Sequence, residues 1–128
     1  MSLDPNTNIL LVDDDLIASR IMKEHFTSLG YSFCKLASRV SEALAICRQE
    51  PPDIIVMDSH LEEEFDGLKA AEVIYKDYHI PLVILSGYPK EFLVKQNPVA
   101  DLFICLVKPL LIEELLVAIG NILPHRQR

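Results

Sequence analysis

Three aspartates stand in a row at Asp13, Asp14 and Asp15, and Asp58 closes the apolar run Ile54-Ile55-Val56-Met57. Ser86 and Lys108 each end a further apolar run. Carboxylates packed together repel one another, so a group of them needs a proton, a cation or a counter-charge. Oxygen-only donors suit a hard ion, and a few carboxylates that leave room for water suit Mg2+ better than a dedicated Ca2+ cage. Mg2+ sites of that kind commonly handle phosphoryl groups, with the metal, a lysine and a hydroxyl stabilising the oxygens. A carboxylate can also be the nucleophile and form an aspartyl phosphate. Nothing else in the chain offers a comparable set.

That chemistry requires the residues to meet, and the hydropathy pattern says how. Residues 8–13 are a short apolar run ending in acids, which predicts a buried strand. The aspartates then open a helix whose apolar positions Ile17, Ile21, Met22, Phe26 and Leu29 recur at helical spacing, with Gly30 as its stop. A weaker strand is expected over 31–37, and helical spacing returns over 40–49 until Pro51-Pro52 ends it. Residues 53–58 repeat the design of the first strand, followed by an acid-rich loop over 59–66. Asp66-Gly67 starts a helix that carries Leu68, Ala71, Ile74 and Tyr78 on one face. Residues 81–86 form the next strand, Gly87-Tyr88-Pro89 a turn, and 90–96 a short helix. A fifth strand covers 102–107, and Ile112, Leu115, Leu116, Ile119 and Leu123 mark the last helix. Strands alternating with helices in this way predict a parallel sheet covered on both faces. All its strands run one way, so Asp13, Asp14, Asp58, Ser86 and Lys108 share the carboxyl rim, where such sheets bind ligands.

Composition narrows the classes. The 128 residues are half apolar and carry 12 Lys+Arg against 19 Asp+Glu, a net charge of -7. That length suits one domain, here 8–123, with a short extension over 1–7, of which Met1-Ser2-Leu3 could be vector-derived, and a tail over 124–128. The acidic balance argues against nucleic-acid binding, which shows a basic face. The longest apolar runs are about six residues, against the ~18 that suggest a bilayer span. No secretory leader is evident, so a cytoplasmic setting is expected. Cys34, Cys47 and Cys105 are odd in number and widely spaced, which fits small hydrophobes in a reducing compartment better than a zinc site.

Together the segment Leu11-Val12-Asp13-Asp14-Asp15, the strand Ile54-Ile55-Val56-Met57-Asp58, the pair Ser86-Gly87 and the pair Lys108-Pro109 resemble the receiver domain of two-component response regulators. The resemblance covers Asn8 to Leu123, and its weight lies in the order and separation of the pieces. It implies a flavodoxin-like (βα)5 fold with strand order 2-1-3-4-5. Asp58 would be the phosphoacceptor, attacking a phosphohistidine on a sensor histidine kinase or phosphotransfer protein. Asp13 and Asp14 would hold Mg2+ with Asp58, Asp14 directly and Asp13 through water, and the backbone carbonyl of His60 would complete the protein ligands. Ser86 would hydrogen-bond the phosphoryl group, and Lys108 would pair with its charge. A cis peptide is implied at Lys108-Pro109, and a homodimer through the fourth helix, fifth strand and fifth helix is a further implication. Such a bacterial-type domain is not an enzyme beyond assisting its own phosphorylation and dephosphorylation.

The chain also departs from that pattern. Leu61-Glu62 replaces the usual Met-Pro after the acceptor, and Gly67 comes one residue late. Cys105 stands where most receivers carry the aromatic switch, so that switch is not carried over; Phe103 lies on the same face. Each residue has a plainer reading. Asp15 is a helix cap, the acids Glu62, Glu63, Glu64 and Asp66 are a solvated loop or a source of negative potential beside Asp58, and His25, His60, His79 and His125 are exposed. The rivals are a degenerate receiver that signals without phosphate and a hydrolase with an aspartate nucleophile. The second wants an acid two residues after the nucleophile, where this chain has His60. A flavin-binding flavodoxin is disfavoured because Asp13-Asp14-Asp15 would repel the phosphate.

Overall fold

The computed structural model describes residues 3–62 and 66–123. Glu63, Glu64, the ends of the chain and the tail residues His125, Arg126 and Arg128 lie outside the described residues. Five parallel strands, β1 (Ile9–Val12), β2 (Cys34–Ala37), β3 (Ile54–Asp58), β4 (Leu82–Ser86) and β5 (Ile104–Val107), form one sheet in the order β2-β1-β3-β4-β5. Between and after them run α1 (Leu16–Ser28), α2 (Val40–Gln49), α3 (Asp66–Tyr78), α4 (Lys90–Gln96) and α5 (Ile112–Ile122). This is the expected doubly wound order.

The three central strands are buried along their whole length, as their uninterrupted apolar runs require. Their side chains alternate between two cores. Leu10, Val12, Ile55, Met57 and Ile84 pack beneath α2, α3 and α4. Ile9, Leu11, Val56 and Leu85 pack with Phe26 of α1 and Leu115 and Ile119 of α5. Cys34 and Cys47 are buried and Cys105 half-buried, all three as free thiols.

Three local expectations shift. In α1 the stripe toward the sheet runs through Ser19, Met22 and Phe26, whereas Ile17 is 74% and Ile21 52% exposed. Several apolar residues at helical spacing leave the choice of inward stripe to the sheet. The second strand starts at Cys34 rather than at residue 31. Tyr31 is buried before it, and its hydroxyl accepts a hydrogen bond from the Leu3 amide at 3.0 Å. The fifth strand starts at Ile104, because a 3₁₀ turn over Pro98–Leu102 takes up Leu102. Asn97 caps that turn, its side chain accepting from the Val99 amide at 3.1 Å. Phe103 follows the turn, buried on the same face as Cys105 and edge-on to Tyr75 at 5.7 Å between ring centroids.

Candidate functional site

Strand register brings the polar residues together. Val12 is level with Met57, Asp58 with Leu85, and Ser86 with Val107. The residues just after β1, at the ends of β3 and β4, and just after β5 therefore meet at one rim. Of these, Asp13, Asp14, Asp58 and Lys108 line a cleft of about 850 Å3 together with His60 and Tyr88, whereas Ser86 is buried and is not part of that lining.

Each side chain is held by its own element. Asp15 caps α1 by accepting from the Ile17 and Ala18 amides, both at 3.1 Å, as its plainer reading had it. Asp13 accepts from the Asp15 amide at 2.9 Å, which ties the first acid to the start of that helix. Asp58 is 5% exposed. Its Oδ1 accepts from the His60 amide at 2.9 Å, and its Oδ2 from Lys108 Nζ at 2.7 Å. Lys108 is steadied by its own backbone, whose amide donates to the Ser86 carbonyl at 2.7 Å. The Lys108-Pro109 peptide is cis. The Ser86 hydroxyl is buried and accepts from the Tyr88 amide at 3.0 Å.

The charges act on one another. Asp13 is pushed up from 3.8 to about 6, first by burial and then by the charge of Asp58, against its bond to the Asp15 amide and the charge of Lys108. Burial would lower Lys108, but its hydrogen bond to Asp58 and the charges of Asp58, Asp13 and Asp14 outweigh that, so its ammonium is held above the ordinary range. One carboxylate oxygen each from Asp13, Asp14 and Asp58 lies within 4.8 Å of the others. An all-oxygen trio with one ammonium among three acids is short of positive charge, and a hard divalent cation fits that deficit. His60 lines the same cleft and is exposed.

The loop after β3 holds what the sequence reading did not anticipate. Leu61, in place of the usual Met, is buried in the core beneath α3. Asp66 turns back to accept from the Leu61 amide at 2.7 Å and the Glu62 amide at 3.0 Å, so its charge is engaged by the loop itself. Gly67 lies so close to Asp58 that a Cβ would strike the Asp58 carbonyl and come within 2.9 Å of Ser59 Cα. The late glycine therefore still serves close approach. The signal is the Asp66-Gly67 pair, which in the sequence marks both a helix start and the family's glycine displaced by one residue.

The response regulator receiver domain model matches residues 9–120, and the chain belongs to that family. Among curated relatives, the phyllosphere-induced regulator PhyR of Methylorubrum extorquens is 25% identical over 99 residues, 77% of this chain and 37% of its own length. The transcriptional regulatory protein PdtaR of Mycobacterium tuberculosis is 28% identical over 111 residues, 87% of this chain and 54% of its own length. The chain thus spans between about a third and a half of these relatives. A two-component response regulator from Clostridium difficile superposes with a TM-score of 0.80 at 22% identity, covering 91% of this chain and 95% of its own. The CheY-like receiver from Methanospirillum hungatei gives 0.78 at 23% identity, covering 91% and 92%. Receiver domains are signalling domains, generally not enzymes, that meet histidine kinases or phosphotransfer proteins and generally bind Mg2+ at an acidic pocket. Among the described residues no helix is long and apolar enough to cross a membrane.

Proposed function

We propose that this chain accepts a phosphoryl group on Asp58 from a phosphohistidine of a sensor kinase or phosphotransfer protein, in a Mg2+-dependent reaction. The observation that carries this is the 2.7 Å pairing of Lys108 with an Asp58 carboxylate that also faces Asp13 and Asp14 across one cleft. An Asp58 oxygen attacks phosphorus, the bond from phosphorus to imidazole nitrogen breaks, and its electron pair leaves with the imidazole, which takes up a proton. Bound Mg2+, held by Asp13, Asp14, Asp58 and the His60 carbonyl, would supply positive charge to the phosphoryl oxygens. Lys108 would exchange its present partner for a phosphoryl oxygen, and the Ser86 hydroxyl, while accepting from the Tyr88 amide, would donate a hydrogen bond to another.

The relay surface would be α4, β5 and α5, where Val107 and Val117 are exposed, and a second copy of the chain could pair there. The free thiols favour a cytoplasmic setting. The domain proper would cover 8–123. A second reading, a receiver that signals without phosphate, draws on Cys105 at the usual aromatic position. One experiment separates the two. Mg2+ with a small phosphodonor should add one acid-labile phosphate to the wild type, seen as a mass gain, and none to Asp58→Asn. No gain on the wild type would favour the second reading.

A further inference from the structure

The backbone after Asp58 can be accounted for one peptide at a time. In the Ser59–His60 unit the amide donates to Asp58 Oδ1 at 2.9 Å, and the Ser59 carbonyl accepts from the Gly67 amide at 3.0 Å. In the next unit the Leu61 amide donates to Asp66 Oδ1 at 2.7 Å, and the Glu62 amide after it to Asp66 Oδ2 at 3.0 Å. Among the described residues only Lys108-Pro109 is cis, so the His60–Leu61 peptide is trans and planar. Its carbonyl then points opposite to its amide, away from Asp66. No donor meets that carbonyl among the described residues. The unit cannot swivel freely, because the Leu61 side chain is buried in the core and both flanking amides are engaged.

We propose that Asp66 is a positioning residue that aims the His60 carbonyl into the cleft as a cation ligand. This rests on the Mg2+ reading of the Asp13, Asp14 and Asp58 site. Asp66 touches neither the cation nor the phosphoryl group. It acts through two backbone amides, much as partners behind metal ligands orient them elsewhere. The extra residue before Gly67 is thereby reconciled with a fixed ligand, since the carboxylate spans the loop from its far end.

Mg2+ affinity, read by calorimetry and by the rise in unfolding midpoint on adding Mg2+, tests this. Asp66→Ala should weaken Mg2+ binding about 10- to 100-fold. Asp66→Asn, of the same shape and keeping one acceptor oxygen, should weaken it less, and the Leu61 and Glu62 amides should exchange with solvent faster in both variants. Ile74→Ala, buried further along the same helix, controls for general loss of stability and should lower the midpoint without changing Mg2+ affinity. Wild-type affinity in the Asp66 variants, or an equal loss in Ile74→Ala, would overturn the inference while leaving phosphorylation of Asp58 standing. A wild type that binds no Mg2+ would overturn the inference and the metal reading together.

Discussion

Asp13 keeps its proton to about pH 6 in the metal-free fold, whereas an unfolded chain releases it near 3.8. Between those values the folded state binds more protons, so this carboxyl's favourable contribution is complete below pH 3.8 and lost as pH rises through 6. At pH 7 it is an ionised acid held beside Asp58. Asp13→Asn should therefore stabilise the metal-free protein at pH 7 by about 1 kcal/mol, discounted for the group's partial exposure, with the gain shrinking toward pH 4. The same change should reduce the stabilisation that Mg2+ confers. Urea midpoints at the two pH values, with and without Mg2+, check both. Lys108 is the other half of this balance. Lys108→Ala leaves Asp58 facing two acids without its ammonium and should cost about 1–2 kcal/mol in the absence of metal, less than for a fully buried pair because Lys108 is 38% exposed. Saturating Mg2+ should recover most of the loss, which urea midpoints at rising Mg2+ will read.

At the scale of elements, the site depends on where α3 begins. Gly67 packs against the backbone that ends β3, so Gly67→Ala must push the helix and the acceptor strand apart. The expected cost is about 1–3 kcal/mol, with loss of phosphate uptake beyond what that destabilisation explains. Denaturant midpoints compared with mass gain measure the two effects. The 3₁₀ turn offers a contrast away from the site: Asn97→Ala removes its cap and should cost about 1 kcal/mol without changing Mg2+ affinity. Strands β1, β3 and β4 were legible because buried parallel strands are written as unbroken apolar runs. The inward stripe of α1 was not, because Ile17 and Ile21 match helical period as well as Phe26 does. The start of β5 was hidden too, since Leu102 is apolar yet belongs to a turn defined by Asn97 and Pro98.

For the whole molecule, the parallel sheet turns scattered residues into a site. Asp13, Asp14, Asp58 and Lys108 could be picked from the sequence because each interrupts or ends an apolar run, and a charge there needs a partner. Ser86 was visible in the same way but carried less weight, a hydroxyl at a strand end being common. The role of Asp66 was not visible, because a carboxylate that bonds two amides reads in sequence like any other acid in a loop.

The register of the strands also sets an order of events during synthesis. Asp58 and the lysine that balances it are 50 residues apart, joined through β4 and β5. A nascent chain that has released only β1 to β3 holds the acidic trio without its ammonium. Closure of long loops is what slows folding of non-local topologies. The charge balance of the rim should thus be completed only when β5 docks. In refolding, Mg2+ should therefore be captured before the last recovery of amide protection in β4 and β5, because the unbalanced trio attracts the ion, and pulsed hydrogen exchange with and without the ion can time both.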